Sequence, residues 1–348
     1  MGEPVAGIDV PRVSAWLESN VPGSEGPFEF TLIAGGRSNL TFRVTDAAGH
    51  SWALRRPPVS HVLPTAHDMV REHTVLTALL PAGIPVPATV ALCTDEAVNE
   101  RPFYVMDFID GHILRDATSA ERELALGARS SVGTNLASTL AKLHAVDVDD
   151  VGLGQLGRHD GYIERQVKRW RGQYEQMKTG GVEPGDLVEE VGAALAESIP
   201  AQQRVSVVHG DYRLDNTVLD DDGAVRAILD WEICTLGDPL ADIGLLCVYW
   251  ADPGDNQVAL VGQAPTVAPG FETRDQVLAA YTKASGLDTS NVPYFMAFGY
   301  WKLACILQGV YARYVAGATA GDTGSVETFP GHVVALATAA RDMLGTLS

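Results

Sequence analysis

Two kinds of hydrophobic pattern divide the chain, and the change between them falls near residue 107. Before it, short runs rich in β-branched and aromatic residues are typical of strands. The predicted strands are FEFTLI, LTFRVT, SWALRR, ATVALC and RPFYVMDF. One segment, DMVREHTVLTALL (68–80), instead spaces its apolar residues along one helix face and is followed by Pro81, so it is predicted to be a helix.

Beyond residue 107 the pattern is mostly helical. Thr118 and Glu121 are expected to form a capping box ahead of a long helix with leucines on one face. Further helices are predicted near 160–178, 274–285 and 293–316. The segments VVHGDYRLDNTVL and VRAILDWEI read as a strand-loop-strand insert among them.

These patterns predict an α+β protein with two lobes. We expect an N-terminal lobe, residues 1–107, built on an antiparallel sheet and binding nucleotide. A larger, mostly helical lobe, residues 108–348, is expected to carry the catalytic loop and the acceptor site.

Composition narrows the classes of partner. Of 348 residues, 46% are hydrophobic and 20% are charged, which is ordinary for a globular protein. A formal net charge of −19 argues against binding a nucleic-acid backbone, which requires basic patches. The chain shows neither a secretory signal nor an apolar run of about 18 residues, so we expect a cytoplasmic protein without membrane contact. The four cysteines form no C-x-x-C pair, and the sequence does not indicate an oligomeric state.

The stretch HGDYRLDN holds the first candidate chemistry. Asp211 and Asn216 follow the D-x-x-x-x-N spacing of a phosphotransferase catalytic loop, in which the aspartate faces the acceptor hydroxyl and the asparagine ligates Mg²⁺. Asp230 ends the apolar run AVRAIL, and a returning strand would bring its carboxylate to the same metal. The alternative is a plain hairpin whose polar residues only cap turns.

The strand-rich half offers an independent candidate for phosphate binding. In SWALRR, strand alternation places Ala53 and Arg55 on one face, in the phase of the A-I-K tripeptide of kinases with arginine in place of lysine. Glu72 on the following helix is placed to pair with Arg55. In the loop AGGRSN, backbone N–H groups can lie over phosphates. Its candidate nucleotide-binding residues are Gly35, Gly36, Ser38 and Asn39.

These motifs resemble the aminoglycoside phosphotransferase and choline kinase group, which has a protein-kinase-like fold. HGDYRLDN resembles its H-G-D-x-x-x-x-N motif, ILDWE its metal-binding strand end, and LGDPLADIG its D-P-x-x-D segment. The resemblance extends from about residue 28 to about residue 316. Segments such as FYVMDFIDGHILRD and YWKLACILQGVYARY resemble the branch that includes the kinase-like domain fused to some acyl-CoA dehydrogenases.

The resemblance implies a role for each matching residue. Asp211 is the expected catalytic base or hydroxyl-orienting group, and Asn216 and Asp230 are the expected Mg²⁺ ligands. Arg55 and Glu72 form the expected phosphate-holding pair.

Other matching positions receive binding or supporting roles. The backbone of Met106, Asp107 and Phe108 matches the inter-lobe linker that faces adenine. His209 is expected to brace the loop. Asp238 and Asp242 are expected to hold the metal-binding loop through hydrogen bonds.

The predicted activity is Mg²⁺-dependent phosphoryl transfer from ATP or GTP to a hydroxyl of a small molecule. Aminoglycoside-like compounds and anionic or acyl-CoA-type metabolites are both candidate acceptors. The helical segments placed around the acceptor favour the anionic class. Their charged residues are Arg165, Lys168, Arg169, Arg171, Lys302 and Arg313, against Glu164 alone. A non-catalytic nucleotide-binding regulatory module and a protein kinase are the alternatives.

Overall fold

The computed structural model describes residues 5–34, 39–59, 68–177, 187–252, 254–255, 264–316 and 328–347. The chain forms two compact units. Unit 1 contains Met1–Gly111 and Arg226–Ile233, and unit 2 contains His112–Val225 and Cys234–Ser348.

Unit 1 is built on a five-stranded antiparallel sheet. Its strands are β1 (Glu29–Ala34), β2 (Leu40–Thr45), β3 (Ser51–Arg56), β4 (Thr89–Cys93) and β5 (Phe103–Asp107), and their order in the sheet is β1-β2-β3-β5-β4. Alternation buries Phe42 and Val44 of β2 and leaves Arg43 between them exposed, as a sheet with one covered face requires. All five strands predicted from the sequence are therefore confirmed.

Helices accompany the sheet. Helix α2 (Met69–Leu79) lies within the segment predicted as helical, and the Asp68 carboxylate caps it by accepting the Arg71 N–H. Helix α1 (Val10–Asn20), which the pattern analysis did not predict, buries Val13 and Leu17 in an apolar cluster with strand residues. A short helix α3 (Glu96–Asn99) precedes β5. Unit 1 therefore has an apolar core between α1 and the sheet.

The division of the chain differs from the predicted lobes. The first unit continues to Gly111 and includes Arg226–Ile233, which was expected in the helical lobe. A hydrogen bond from the Ile228 N–H to the Pro85 carbonyl (2.8 Å) ties this segment to unit 1. Asp230 therefore belongs to the same compact unit as Arg55.

Unit 2 is mostly helical, as predicted. The described helices are α4 (Ala117–Glu123), α5 (Leu126–His144), α6 (Tyr162–Gln176), α7 (Leu187–Glu197), α8 (Leu240–Tyr249), α9 (Arg274–Ser285), α10 (Val292–Val315) and α11 (Phe329–Gly345). The helices predicted near 160–178, 274–285 and 293–316 correspond to α6, α9 and α10, and the predicted long helix with leucines on one face is α5. Within the described ranges, no helix is long and apolar enough to cross a membrane.

The predicted capping box at Thr118 and Glu121 is wrong. The box consists of Asp116 and Ser119, and it caps the short helix α4 rather than the long one. Its defining bond runs from the Ser119 N–H to the Asp116 carboxylate (2.6 Å). Leu124 adopts an extended backbone that ends α4, so α5 starts separately at Leu126. An aspartate is as good an N-cap as threonine, and the sequence offered both within three positions.

Four short strands occur in the described chain between α7 and α8. Strand β6 (Ser206–Val208) pairs antiparallel with β9 (Thr235–Gly237). Strand β7 (Thr217–Leu219) follows the HGDYRLDN stretch. Strand β8 (Val225–Ile228) then leads to Asp230. The apolar residues before and after HGDYRLDN therefore lie in strands, as predicted, and so do those that precede Asp230.

Candidate active site

The candidate catalytic loop begins where β6 ends, and its backbone is held by a buried carboxylate. Asp242, at the start of α8, accepts the N–H groups of His209 (2.7 Å) and Gly210 (2.8 Å). Gly210 has a φ of 86°, a left-handed conformation that glycine adopts without steric cost. The loop therefore turns sharply just before Asp211.

Asp211 and Asn216 meet within this loop. The Asn216 side-chain amide donates to the Asp211 carboxylate and to the Asp211 carbonyl, both at 2.9 Å. The side chain of Asp211 is 30% exposed, so a small molecule can reach its carboxylate. A short 3₁₀ turn, Leu214–Asn216, closes the five-residue spacing. The amide nitrogen of Asn216 is thus committed to the loop, and its oxygen is left as the group for a cation.

His209 is fully buried, and its Nδ1 accepts the Asp211 N–H at 3.2 Å. This matches the expected bracing role. Asp242 also contacts His144 Nε2 (3.2 Å), whose Nδ1 lies 2.7 Å from the Tyr281 hydroxyl. Burial alone would raise the pKa of Asp242, but the hydrogen bond and charge of His144, with the field of His209 and the Gly210 N–H, bring it below its usual value. Asp242 is therefore a buried carboxylate that fixes the loop.

The expected roles of the two later aspartates need one correction. Asp242 holds the catalytic loop, not the loop that carries Asp230, because its acceptor oxygens are occupied by residues 209 and 210. Asp238 is buried, and its carboxylate accepts the N–H of Leu240 at the start of α8. Burial raises the pKa of Asp238 to about 6.

Lys302, on α10, is a loop contact that the sequence did not single out individually. Its ammonium donates to the Gly210 carbonyl at 3.1 Å. Burial lowers the pKa of Lys302, and the neighbouring charges of Asp211 and Asp242 act against this. The signal available in the sequence was a single lysine within the apolar stretch YFMAFGYWKLACIL.

In unit 1, Arg55 joins the candidate phosphate-binding residues. Its Nε lies 2.8 Å from Glu72 Oε2, so the predicted ion pair is present. Its Nη2 forms an ion pair with Asp230 and lies 3.9 Å from Glu232. The Arg55 side chain is 10% exposed and that of Glu72 is 1% exposed. Among the described residues, Arg55 thus contacts three carboxylates.

Burial, with the neighbouring charges, shifts the pKa values of this cluster. Burial raises the pKa of Glu72 to about 7, Arg55 acts in the opposite direction, and Asp230 and Glu232 reinforce the rise. For Arg55, burial alone would lower the pKa, but Glu72 and Asp230 bring it above its usual value. Arg55 is therefore a permanent cation, and Glu72, the most buried of the three carboxylates, has its pKa raised mainly by burial.

Asp230 has a φ of 63° and is one of two described non-glycine residues with a positive φ. Such backbone costs about 1 kcal/mol or more and is often found at functional sites. The turn carries Glu232 into the same cluster, where it accepts the Asn39 amide at 3.1 Å. The sequence did not predict a role for Glu232, and its position two residues after Asp230 in ILDWE was the available signal.

The predicted phosphate loop is described only at its end. Gly35, Gly36 and Ser38 lie outside the described residues. Asn39 is buried, and its amide donates to Glu72 at 2.8 Å. Its side-chain oxygen is buried without a hydrogen-bond partner among the described residues. A buried acceptor of this kind calls for a donor or a cation.

The predicted linker follows β5. Met106 is buried and lies opposite Ala53 in the β3–β5 register. Asp107 is exposed, and its N–H donates to the Ala88 carbonyl at 2.9 Å. The guanidinium of Arg43 lies 4.6 Å from the centre of the Phe108 ring. The adenine-facing role of these three residues stays a prediction.

The acidic groups of both units supply hard oxygen donors, and the described residues contain no cluster of three or more His, Cys, Asp and Glu side chains arranged to bind a metal on their own. Mg²⁺ is usually held by one or two protein groups together with substrate phosphates. Each unit has a group of that kind. In unit 2 the side-chain oxygen of Asn216 is a suitable donor, and in unit 1 the carboxylate of Asp230 is one.

A sheet unit with a buried cation–glutamate pair and a helical unit with a D-x-x-x-x-N loop are features of the kinase-like phosphotransferases, with arginine here in place of the usual lysine. The family described as "APH: Phosphotransferase enzyme family" matches residues 29–281 of this chain. The chain belongs to that family.

Curated relatives are similar to this chain over most of its length. The chain is 34% identical over 310 residues to acyl-CoA dehydrogenase family member 10 of Mus musculus, which covers 87% of this chain. It spans only 28% of that relative's length. The matched region is therefore a minor part of the relative.

Solved structures give the same fold. A Ralstonia eutropha protein provisionally named an aminoglycoside phosphotransferase superposes with a TM-score of 0.79 at 28% identity, covering 97% of this chain and 98% of its own. Choline kinase from Cryptosporidium parvum gives 0.66 at 14% identity, with coverage of 97% and 96%, and this likeness shows the fold alone.

Proposed function

We propose that this protein transfers the γ-phosphoryl group of ATP, with Mg²⁺, to a hydroxyl of a small anionic molecule. The observation that carries the proposal is the catalytic loop. Asp211 is exposed to small molecules, anchored by Asn216, and mounted on a backbone that buried Asp242 fixes. This arrangement holds one carboxylate at a set position, which is the main requirement for phosphoryl transfer.

The reaction is a simple exchange of bonds. The acceptor oxygen attacks the γ-phosphorus, the bond from that phosphorus to the β–γ bridging oxygen breaks, and ADP leaves. Asp211 orients the hydroxyl and takes up its proton. Arg55 is the residue of unit 1 with the charge to hold phosphate oxygens, and Glu72 fixes its side chain.

Asn216 and Asp230 are the proposed Mg²⁺ ligands. The bound ion would offset negative charge on the phosphates as the bond to ADP breaks. Asp230 is paired with Arg55 in this structure, and both are charged groups that Mg²⁺-nucleotide binding would engage. Asn39, with its unpartnered buried oxygen, is suited to accept a hydrogen bond within the same unit.

The anionic class of acceptor rests on Lys302. Its ammonium lies against the loop of Asp211, and Arg169 is close enough to depress its pKa electrostatically. Two cations near the candidate acceptor position attract a negatively charged molecule, even in a protein of net charge −19.

Four aromatic residues of α10 are buried in the helical core, with exposed fractions of 1% or less, and are not available to a ligand. They are Tyr294, Phe295, Tyr300 and Trp301. The relatives' names concern acyl-CoA chemistry, so a hydroxyacyl thioester of coenzyme A is the specific anionic acceptor we propose testing first.

The decisive experiment measures ADP release and acceptor phosphorylation with a panel of hydroxylated compounds. Hydroxyacyl-CoA thioesters and other hydroxylated anions form one arm, and choline and aminoglycosides form the other. We expect turnover with an anion and none with the cations. Nucleotide binding without transfer to any acceptor would instead identify a regulatory module, and transfer to cations alone would overturn the anionic assignment.

A further inference from the structure

Unit 1 contains a cavity of about 500 Å³ outside the candidate active site. It lies where the start of α1, the short helix α3 and the end of β3 meet. Hydrogen bonds join these elements around it, from the Asp9 N–H to Asn99 Oδ1 (3.0 Å) and from Arg12 Nη1 to the Ala97 carbonyl (3.1 Å).

Strand alternation separates this cavity from the candidate active site. Successive residues of a strand point to opposite faces. Arg55 therefore faces Glu72 and Asp230, while the next residue, Arg56, lines the cavity. Arg56 therefore lies on the opposite face of β3 from Arg55 and cannot hold nucleotide phosphates in its place.

Arg56 is buried, with 4% of its surface exposed, yet no carboxylate of the described chain lies within ion-pair distance of it. Its guanidinium donates to two neutral acceptors, the carbonyls of Pro57 and Gly7. Burial lowers the pKa of Arg56, Glu100 opposes this at longer range, and Arg101 adds to it. A buried cation without a counter-ion is costly, and a bound anion would remove that cost.

Asn99, a second buried polar residue of the cavity, has a donor without a partner. Asn99 is 3% exposed, and its side-chain nitrogen has no hydrogen-bond partner among the described residues. Its oxygen is fixed by the Asp9 N–H, so the amide cannot rotate to satisfy its nitrogen without losing that bond. The Asn99 nitrogen is an unsatisfied donor and Arg56 is a buried cation, so a negatively charged, acceptor-rich ligand suits both.

The other charged residues of the cavity favour an anion as well. Arg12 and Arg101 add two cations, against Asp9 and Glu100. Asp9 is already engaged, since it caps α1 and pairs with Arg12 at 3.5 Å. Ile8, Val59 and Val98 give the cavity an apolar part.

We propose that this cavity is a binding site for a small anion, one that carries a phosphate or carboxylate group and a short apolar portion. Arg56 and Arg101 bind the charged group, and Asn99 donates to it. The site is separate from phosphoryl transfer and stands independently of the proposed function.

The test is calorimetric titration of the full chain with inorganic phosphate and, separately, with butyrate, so that the two anion types are distinguished. Chemical shifts of the Asn99 side-chain amide locate the binding. Arg56→Gln and Arg101→Gln should each weaken binding of the effective anion by roughly tenfold or more, the worth of one charge-assisted hydrogen bond. Arg226→Gln, an exposed arginine of the same unit, is the matched control and should leave it unchanged.

Because Arg101 is exposed, its variant keeps the test valid if Arg56→Gln does not fold. Binding that disappears in Arg55→Ala but persists in the Arg101 variant would place the anion in the candidate active site and overturn the proposal. Absence of binding of both anions up to about 10 mM would also overturn it.

Discussion

Asp211 is held in place by neighbouring groups while its carboxylate stays accessible. The Asn216 amide fixes one oxygen, and the loop backbone is fixed by Asp242. Replacing the carboxylate by an amide of the same size therefore changes proton affinity and charge with little change in shape.

We expect Asp211→Asn to reduce turnover by about two orders of magnitude or more, because a positioned acid–base group contributes on that scale. Nucleotide affinity, measured by calorimetry with Mg²⁺, should change little. Asp215→Asn is the matched control, since Asp215 lies in the same loop, is equally exposed and pairs with Arg213 at 3.2 Å. Equal turnover in both variants would contradict the assignment of Asp211.

Glu72 makes stability depend on pH. Its pKa is about 7 in the folded protein against an ordinary value of 4.5, so between these values the folded protein holds a proton that the unfolded chain has released. The free energy of unfolding should then fall as pH rises through this window, by up to about 3 kcal/mol. Urea unfolding at pH 5 and pH 7 measures the change.

Glu72→Gln should make this decline shallower, whereas Glu25→Gln, at an exposed carboxylate of the same unit, should leave it as in the wild type. If the free energy of unfolding of the wild type instead rises over this pH window, and Glu72→Gln abolishes that rise, the prediction is contradicted. It would show that the attraction of Arg55 outweighs burial at this carboxylate.

At the residue scale, sequence reasoning worked where spacing along the chain determines the contact. Asp211 and Asn216 are five positions apart in one turn, and strand phase places Arg55 toward Glu72. Lys302 was predicted only as one of the charged residues around the acceptor, because its contact with Gly210 joins residues 92 positions apart. A local sequence pattern cannot predict a contact between residues so far apart in the chain.

At the element scale, helix α1 completes the core of unit 1. Leu17 is 1% exposed and lies in the apolar cluster with β2 and β5 residues. Leu17→Ala should lower the free energy of unfolding by about 2–5 kcal/mol, the usual cost of such a truncation in a core. Glu18→Ala, at the exposed neighbouring position, should change it by less than about 0.5 kcal/mol. Denaturant unfolding of both variants provides the comparison, and similar values would contradict a core role for α1.

The elements that patterns predicted best are those with a strong internal period. The strands of unit 1 alternate or are continuously apolar, and α2 has both its cap and its apolar face within 68–80. The hydrophobic pattern did not predict α1, although Asp9 caps it and Pro11 occupies its first turn. The order of strands β3, β5 and β4 could not be predicted, because pairing depends on contacts far apart in sequence.

At the scale of the whole molecule, charge governs ligand binding. With three carboxylates around Arg55, nucleotide phosphates alone meet net repulsion. ADP with Mg²⁺ should therefore raise the unfolding temperature by several degrees, while either alone raises it much less. A thermal shift assay on the wild type and on Asp230→Asn tests this, and the variant should lose the dependence on Mg²⁺. Equal stabilisation by ADP with and without the metal would contradict the prediction.

The left-handed backbone at Asp230 has a genetic consequence. Besides aspartate, the residues that adopt this conformation most easily are asparagine and glycine, and the codons of both differ from aspartate codons by a single base. The backbone therefore accepts, in one mutational step, two replacements that remove the carboxylate without disturbing the turn. On the proposed function, descendants of this gene lie one base change from a folded protein that has lost catalysis, and inactive paralogues should carry Asn or Gly at this position more often than any other residue.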